Sequence, residues 1–284
     1  MAQFATSVPV AHTMWPTVAA FVRREVSWQA TPGNELQELI LRLKEPSLDL
    51  AATMDEKVLR AIASDRAVDI NEFLKREGFQ IQLTDMGSLN MLYAASVMKL
   101  IGKWLESGQT NYYLPSIRKP AFRLTGCAHY EFQGQRIVSV PTRSNFSFLV
   151  TRPTGAHGWN MLLDWARMIL KMTSVQGNGA VLSMAEIGET KIDVKGLVGM
   201  VGGEWQIQEA LMAAKFGLTP EMVKFESAFA MSASRGGPMC VNEPEQGDYI
   251  ADHDLYFALA RPGHLLPVVV GLVPTNELAN QITR

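Results

Sequence analysis

Ser96-Val-Met-Lys99 comes closest in this chain to a catalytic pair. It matches the S-x-x-K pattern of acyl-transferring enzymes, in which the Lys helps to turn the Ser hydroxyl into a nucleophile. The match is four residues long and β patterning follows it where that chemistry wants helices, so the plainer reading is an apolar segment with one exposed Lys. Cys127 and His129 are alternate residues of a strand and share a face by geometry alone, which reads as a packing thiol and a rim imidazole. The histidines at 12, 129, 157, 253 and 264 form no H-E-x-x-H, and no Cys-x-x-Cys occurs, so no metal is expected. Gly196-Leu-Val-Gly-Met-Val-Gly-Gly203 imitates a phosphate loop, but no Lys-Ser/Thr follows and Glu204 would repel phosphate. It reads as a flexible connector. The 6 Trp and 15 Met fit core filling better than a cofactor box, so no cofactor is expected.

The elements that position these residues are bounded by composition. A chain of 284 residues with 47% hydrophobic and 19% charged residues can bury a sizeable core, and is expected to form one compact domain overall. The net charge of -2 gives no electrostatic reason for a nucleic-acid or anionic-membrane partner. Cys127 and Cys240 permit at most one bridge, which makes a reducing compartment the default. The segment Met1 to Val10 lacks a basic start and an apolar run, and no 18-residue apolar stretch occurs. The expectation is therefore no secretory signal, no membrane span and a cytoplasmic location by default.

The first third patterns as helical. Leu36, Leu39, Ile40 and Leu43 share a face, with Pro46 ending that helix; Val58, Leu59 and Ile62 repeat the spacing, and 69–76 is amphipathic and closed at Gly78. Phe79, Ile81 and Leu83 then alternate, and Leu89 to Trp104 is apolar and fits strand or helix equally. From Ala121 to Arg152 the pattern is a β meander. Trp159 to Lys171 predicts a helix, Gln176-Gly-Asn-Gly179 a loop, Val181 to Ile187 a strand, and Trp205 to Phe216 a helix ending at Gly217. Two apolar, aromatic-rich runs around Arg261-Pro-Gly-His264 read as a buried hairpin. Helices first, strands in the middle and mixed elements later argue for α+β.

Several segments resemble the serpins in that family's own order. Ile70-Asn71-Glu72-Phe73 is similar to its Ile-Asn-x-Trp-Val helix, and Leu92 to Trp104 to its central-sheet strand ending Lys-Gly-Lys-Trp. Val138-Ser-Val-Pro141 with Ser147-Phe-Leu-Val-Thr-Arg-Pro153 resembles V-E-L-P-Y followed by S-M-x-x-x-L-P. Phe216-Gly217-Leu218-Thr219 resembles the helix end L-G-I-T. Ala251-Asp252-His253, with Gly271 at the close of the last strand, resembles the Ala-Asp-His-Pro-Phe and Phe-x-Gly-Arg strands. Collinear matches cover roughly residues 68 to 273. The resemblance implies a serpin-like α+β fold: a shortened helical region at 1–67, then a sheet core at 68–284 with a large mixed sheet, a C-terminal β-hairpin and a reactive-centre-like loop at 234–248. It also implies structural roles for Asn71, Trp104, Pro141, Asp252, His253 and Gly271. Departures are Ser96 for Asn, Ile101 for Lys, Asp254 for Pro and Leu272 for Arg.

The loop departs most. Serpin inhibition requires the cleaved loop to enter the main sheet as an added strand, carrying the acylated protease with it. Lys224 to Tyr249 must supply a fixed strand, a hinge and the bait. Either Lys224 to Ala233 is the fixed strand and the hinge holds Gly236, Gly237 and Pro238, or Ala228 to Ser234 is the hinge and the fixed strand is nearly gone; both impair insertion. The family's register places the scissile bond between Cys240 and Glu243, with Met239, Cys240, Val241, Asn242 and Glu243 around it and Arg235 as the best trypsin-like site. Three functions follow: a non-inhibitory protein that binds a protein partner, an inhibitor of serine or cysteine proteases using 234–248 as bait, and, more weakly, a Ser96/Lys99 acyl hydrolase. The first is preferred, with no catalytic residue assigned.

Overall fold

A computed structural model of the chain describes residues 1–87, 91–225 and 242–279. The chain divides into two compact units, 1–5 with 100–188 and 215–284, and 6–99 with 189–214.

The first unit is built on a seven-stranded antiparallel sheet. Its order is Gln3–Ala5, Val269–Val273, Leu255–Ala260, Ser147–Thr151, Gln135–Pro141, Ala128–Phe132 and Thr173–Val175. The meander and the C-terminal hairpin expected from the alternating runs are thus neighbours. Leu255–Ala260 and Val269–Val273 are buried along their whole length, as continuous apolar strands must be. An aromatic core fills one side: Phe4, Phe148, Phe216, Phe225 and Phe257 pack with Trp104, and the rings of Phe216 and Phe257 stack at 4.3 Å. Gly271 permits this, because a Cβ there would sit 2.5 Å from the Phe257 ring. The helix Asn160–Lys171 buries Met161, Leu162, Trp165 and Met168.

Two further sheets belong to this unit. One has four strands, Tyr249–Ile250, Ala180–Ser183, Lys119–Leu124 and Gln109–Leu114, the first pair parallel and the rest antiparallel. In the other, Met222–Phe225 lies between Leu100–Lys103 and the C-terminal half of Met212–Leu218, antiparallel to both.

The second unit holds the helices Val8–His12, Val18–Val22, Glu35–Ala52 and Ala67–Arg76 and the antiparallel pair Leu59–Ser64 with Tyr93–Met98. Ile70, Phe73 and Leu74 of the last helix bury against Tyr93 and Val97, and the helix closes at Gly78 as expected. Among the described residues no helix is long and apolar enough to cross a membrane.

Four local expectations are corrected. Pro46 does not end its helix, which continues to Ala52; the one lost backbone bond is offset by burial of Leu50 and Ala51 and by the Ser47 hydroxyl donating to Ser7. Leu59 and Ile62 lie in a strand, where pairing with Tyr93–Met98 overrides a short helical spacing. The segment from Trp205 is no helix but the strands Trp205–Gln206 and Met212–Leu218. Gly196 is no free connector, since its carbonyl accepts from Asn34 at 2.8 Å and Gln37 at 2.9 Å. The alternating run from Phe79 to Leu83 is not a strand. Side chains take its amides instead: Glu189 accepts from Gln80, Asn71 from Leu83 and Glu209 from Thr84.

Candidate functional site

The loop implied at 234–248 falls partly outside the described residues: Arg235, Met239, Cys240 and Val241 are among 226–241, while Asn242 and Glu243 are described. The site that can be built is therefore the entry and the exit of this loop.

At the entry, Met212–Leu218 turns at Thr219–Glu221 and the chain re-enters the same sheet as Met222–Phe225. Trp104 holds the turn. Its indole N–H donates to the Thr219 carbonyl at 3.0 Å and its backbone N–H to Glu221 at 3.2 Å, while Gly108 donates to Pro220 at 2.6 Å. Val223 and Phe225 are buried, and every Cα partner from Lys103 to Leu100 is matched by Met222 to Phe225. Lys224 and Phe225 thus belong to a strand paired on both edges, while the rest of both readings of the loop, Lys224 to Ala233 as fixed strand or Ala228 to Ser234 as hinge, lies outside the described residues.

At the exit, the segment from Asn242 to Ile250 crosses from one edge of the four-stranded sheet to the other. A bulge between Gln109 and Tyr112, with Asn111 in the left-handed region at φ +72°, turns the Asn111 carbonyl outward, where it accepts from the Asn242 N–H at 2.7 Å. Asn242 bridges Tyr112 in parallel register, and Glu243 is exposed. Arg123, only 3% exposed, then grips the segment: its Nε donates to Asp248 at 2.8 Å and its Nη2 to Glu245 at 2.8 Å and to Asp248 at 3.1 Å. Asp248 also accepts from the Gly179 N–H at 2.8 Å, and Asn178 donates to Glu245 at 3.0 Å. Burial pushes the Asp248 carboxyl up, but the bonds from Arg123, Gly179 and Glu245 outweigh it and hold the group below its ordinary 3.8.

The family-like positions fall in both units. Tyr249 is buried and its hydroxyl lies 2.9 Å from His253 Nε2; His253 Nδ1 lies 2.7 Å from the Asp254 carbonyl. A carbonyl can only accept, so Nδ1 carries the proton and Nε2 accepts from Tyr249. Burial lowers the His253 pKa and keeps the ring neutral. Asp252 pairs with Arg152 at 3.5 Å. Asp254, where the family has Pro, accepts from the Thr275 N–H at 2.8 Å. Pro141 ends its strand opposite Ser147, Asn71 braces the extended segment at Leu83, and Leu272, where the family has Arg, is buried opposite Tyr256.

The pairs weighed as chemistry are held apart from it. The Ser96 hydroxyl donates to the Pro9 carbonyl at 2.6 Å, and the Lys99 ammonium sits on Glu77 at 2.9 Å. His129 is not at a rim but 3% exposed, and burial pushes the Cys127 thiol up to about 12, well away from a reactive thiolate. Among the described residues no cluster of His, Cys, Asp and Glu has the geometry of a metal site. Sequence reasoning missed Arg123, Asp248, Glu245, Asn178 and Asn111. The available signal was a lone Arg inside the apolar strand Ala121-Phe-Arg-Leu124, which requires a buried acid somewhere.

No family model matches the chain, and no curated protein does. Solved structures do. A serpin from the insect Tenebrio molitor, described as highly specific, shares 12% identity over 96% of this chain and 91% of its own, with a TM-score of 0.54. The thermophilic serpin tengpin in its native state matches at 11% identity over 96% and 88%, TM-score 0.54. Mouse protein Z-dependent protease inhibitor matches at 11% over 96% and 90%, TM-score 0.52. The chain has a serpin-like α+β fold.

Proposed function

We propose that this serpin-like protein acts by binding a protein partner and does not trap proteases by loop insertion. The observation that carries the reading is the strand Met222–Phe225, bonded on both edges between Leu100–Lys103 and Met212–Leu218. An entering loop needs two neighbouring strands that can part and accept a new ladder on each side. At this level of the sheet those edges are already satisfied by the chain that leads into the loop.

The exit supports the same reading. Asn242 is paired with the edge strand Gln109–Leu114, so the carboxyl side of the expected scissile region is docked on the sheet. A protease must draw its substrate into an extended pose, and would first have to break this pairing and the Arg123 grip on 245–248. An enzymatic role through Ser96 has no geometric support, because a Lys99 ammonium paired with Glu77 has no lone pair to take the Ser96 proton.

Incubation with a panel of serine and cysteine proteases, followed by denaturing electrophoresis, tests the reading. The expected result is a nicked protein or no change. An adduct that survives denaturation, with the mass of inhibitor plus protease, would mean that trapping operates. Fluorophosphonate labelling that disappears in Ser96→Ala would equally overturn the non-enzyme reading.

A further inference from the structure

The exit segment rests on two histidines, His129 buried and His253 half-buried. At its C-terminal end, His253 accepts the Tyr249 hydroxyl through Nε2 while Nδ1 donates to Asp254. At its other end, the loop Gln176 to Gly179 covers His129. Gly177 lies so close over that imidazole that a Cβ would come within 2.2 Å of the ring, and neither ring nitrogen of His129 has a hydrogen-bond partner. The backbone of Asn178 approaches the ring without hydrogen-bonding geometry. This same loop supplies the Gly179 N–H to Asp248, the Asn178 N–H to the Gly247 carbonyl at 3.1 Å, and the Gly179 carbonyl that accepts from Tyr249 at 2.9 Å. Whatever lifts Gln176 to Gly179 therefore also releases 247–249.

We propose that His129 and His253 form an acid-operated latch: charging them detaches residues 242–250 from the four-stranded sheet and frees the C-terminal end of the loop. The proposal goes beyond the partner-binding reading and holds whether the loop serves binding or inhibition. Charging His253 makes Nε2 a donor, so Tyr249 must turn its hydroxyl proton away from the ring and the bond it now donates to His253 is lost. Charging His129 places a buried cation under Gly177 with only the Asn178 backbone and the Asp248 charge to offset its lost hydration, and the least costly relief is for the covering loop to open to water.

The surrounding charges set the balance. Around His253, Arg152 opposes a second positive charge, while Asp252 and Asp254 favour it; Asp252 is paired with Arg152, and Asp254 is bonded to Thr275. The Tyr249 phenol stays neutral because burial raises its pKa. Around His129, the Asn178 backbone and Asp248 favour the charge, Arg136 on the adjacent strand opposes it, and Cys127 is held neutral by burial. Burial is the largest influence on both rings and lowers both pKa values. The latched state therefore binds fewer protons than the released one. Its advantage is fully present above the free-histidine pKa of about 6.5 and is lost as the pH falls below that value, by up to ~10-fold per unit for each ring.

Peptide-resolved hydrogen exchange on the full chain at about pH 7.5 and about pH 5.5, corrected for intrinsic rates, tests this. The expected result is a loss of protection of at least ~10-fold in 176–179 and 242–250, while Leu255–Ala260 keeps its protection. The double variant His129→Gln/His253→Gln should hold the segment protected at the lower pH. Unchanged protection in the natural chain, an equal loss in the double variant, or loss in Leu255–Ala260 in step with the latch would each overturn the proposal. If the variant does not fold, NMR titration of the natural chain decides: the His129 and His253 ring resonances must shift at the same pH at which protection is lost, and shifts at a different pH would sink the idea.

Discussion

Arg123 is a buried cation whose place is justified only by its partners. With Asp248 fully covered and Arg123 nearly so, removing one partner strands the other without compensation. Arg123→Met should cost about 3 to 5 kcal/mol in denaturant unfolding, and adding Asp248→Leu should recover most of the loss. Full additivity of the two losses would mean that they do not act as a pair. The depressed carboxyl of Asp248 contributes stability that is present above its ordinary 3.8 and is lost as the pH falls through its still lower folded value. That window lies well below the one in which the histidines titrate, so the two effects separate on a pH axis. Trp104 is 2% exposed and joins the turn at Thr219 to Phe148, and Trp104→Ala should cost about 3 to 5 kcal/mol. A loss below about 1 kcal/mol would remove it from the core that the family register implies. Trp104, His253 and Gly271 were legible because their neighbours in sequence carry the family-like pattern. Arg123 was not, because its acid lies 125 residues away and nothing local marks Asp248 as its partner.

Among the elements, strands with long alternating or continuous apolar runs were legible and short segments were not. The meander and the C-terminal hairpin fall where the pattern put them, since period-2 burial leaves one register open. Glu209-Ala-Leu-Met-Ala-Ala-Lys215 has the composition of a helix, yet Met212 to Lys215 lie in the strand Met212–Leu218, whose last three residues pair with Met222–Phe225; partners brought in by the rest of the chain decide a segment whose own preference is weak. Two-residue strands such as Tyr249–Ile250 leave no periodic signal at all. Pro46 shows the reverse, a strong local stop signal overruled by burial on the far side of the helix. Because Pro46 is exposed and lacks the amide its turn requires, Pro46→Ala should raise stability by about 1 to 3 kcal/mol. An unchanged or lower midpoint in urea would show that the helix is built around the proline.

At the scale of the whole chain, the order of parts carried the fold through the sequence even where single motifs did not. At 11 to 12% identity the likeness to known serpins lives in topology and in a few packed positions. Function does not follow from that likeness. It turns on whether the chain can gain a strand after its loop is cut, and on the proposed reading Met222–Phe225 already takes that place at the level of Leu100–Lys103. The most direct measurement is the melting temperature before and after a single trypsin cut within 234–248, with the cut mapped by mass. On that reading a cut releases little stored strain, so the nicked protein should melt within about 5 °C of the intact one, the shift expected for a change of roughly 1 to 2 kcal/mol. A rise of about 20 °C or more after the cut would show that the loop still enters the sheet, and would contradict the non-inhibitory reading.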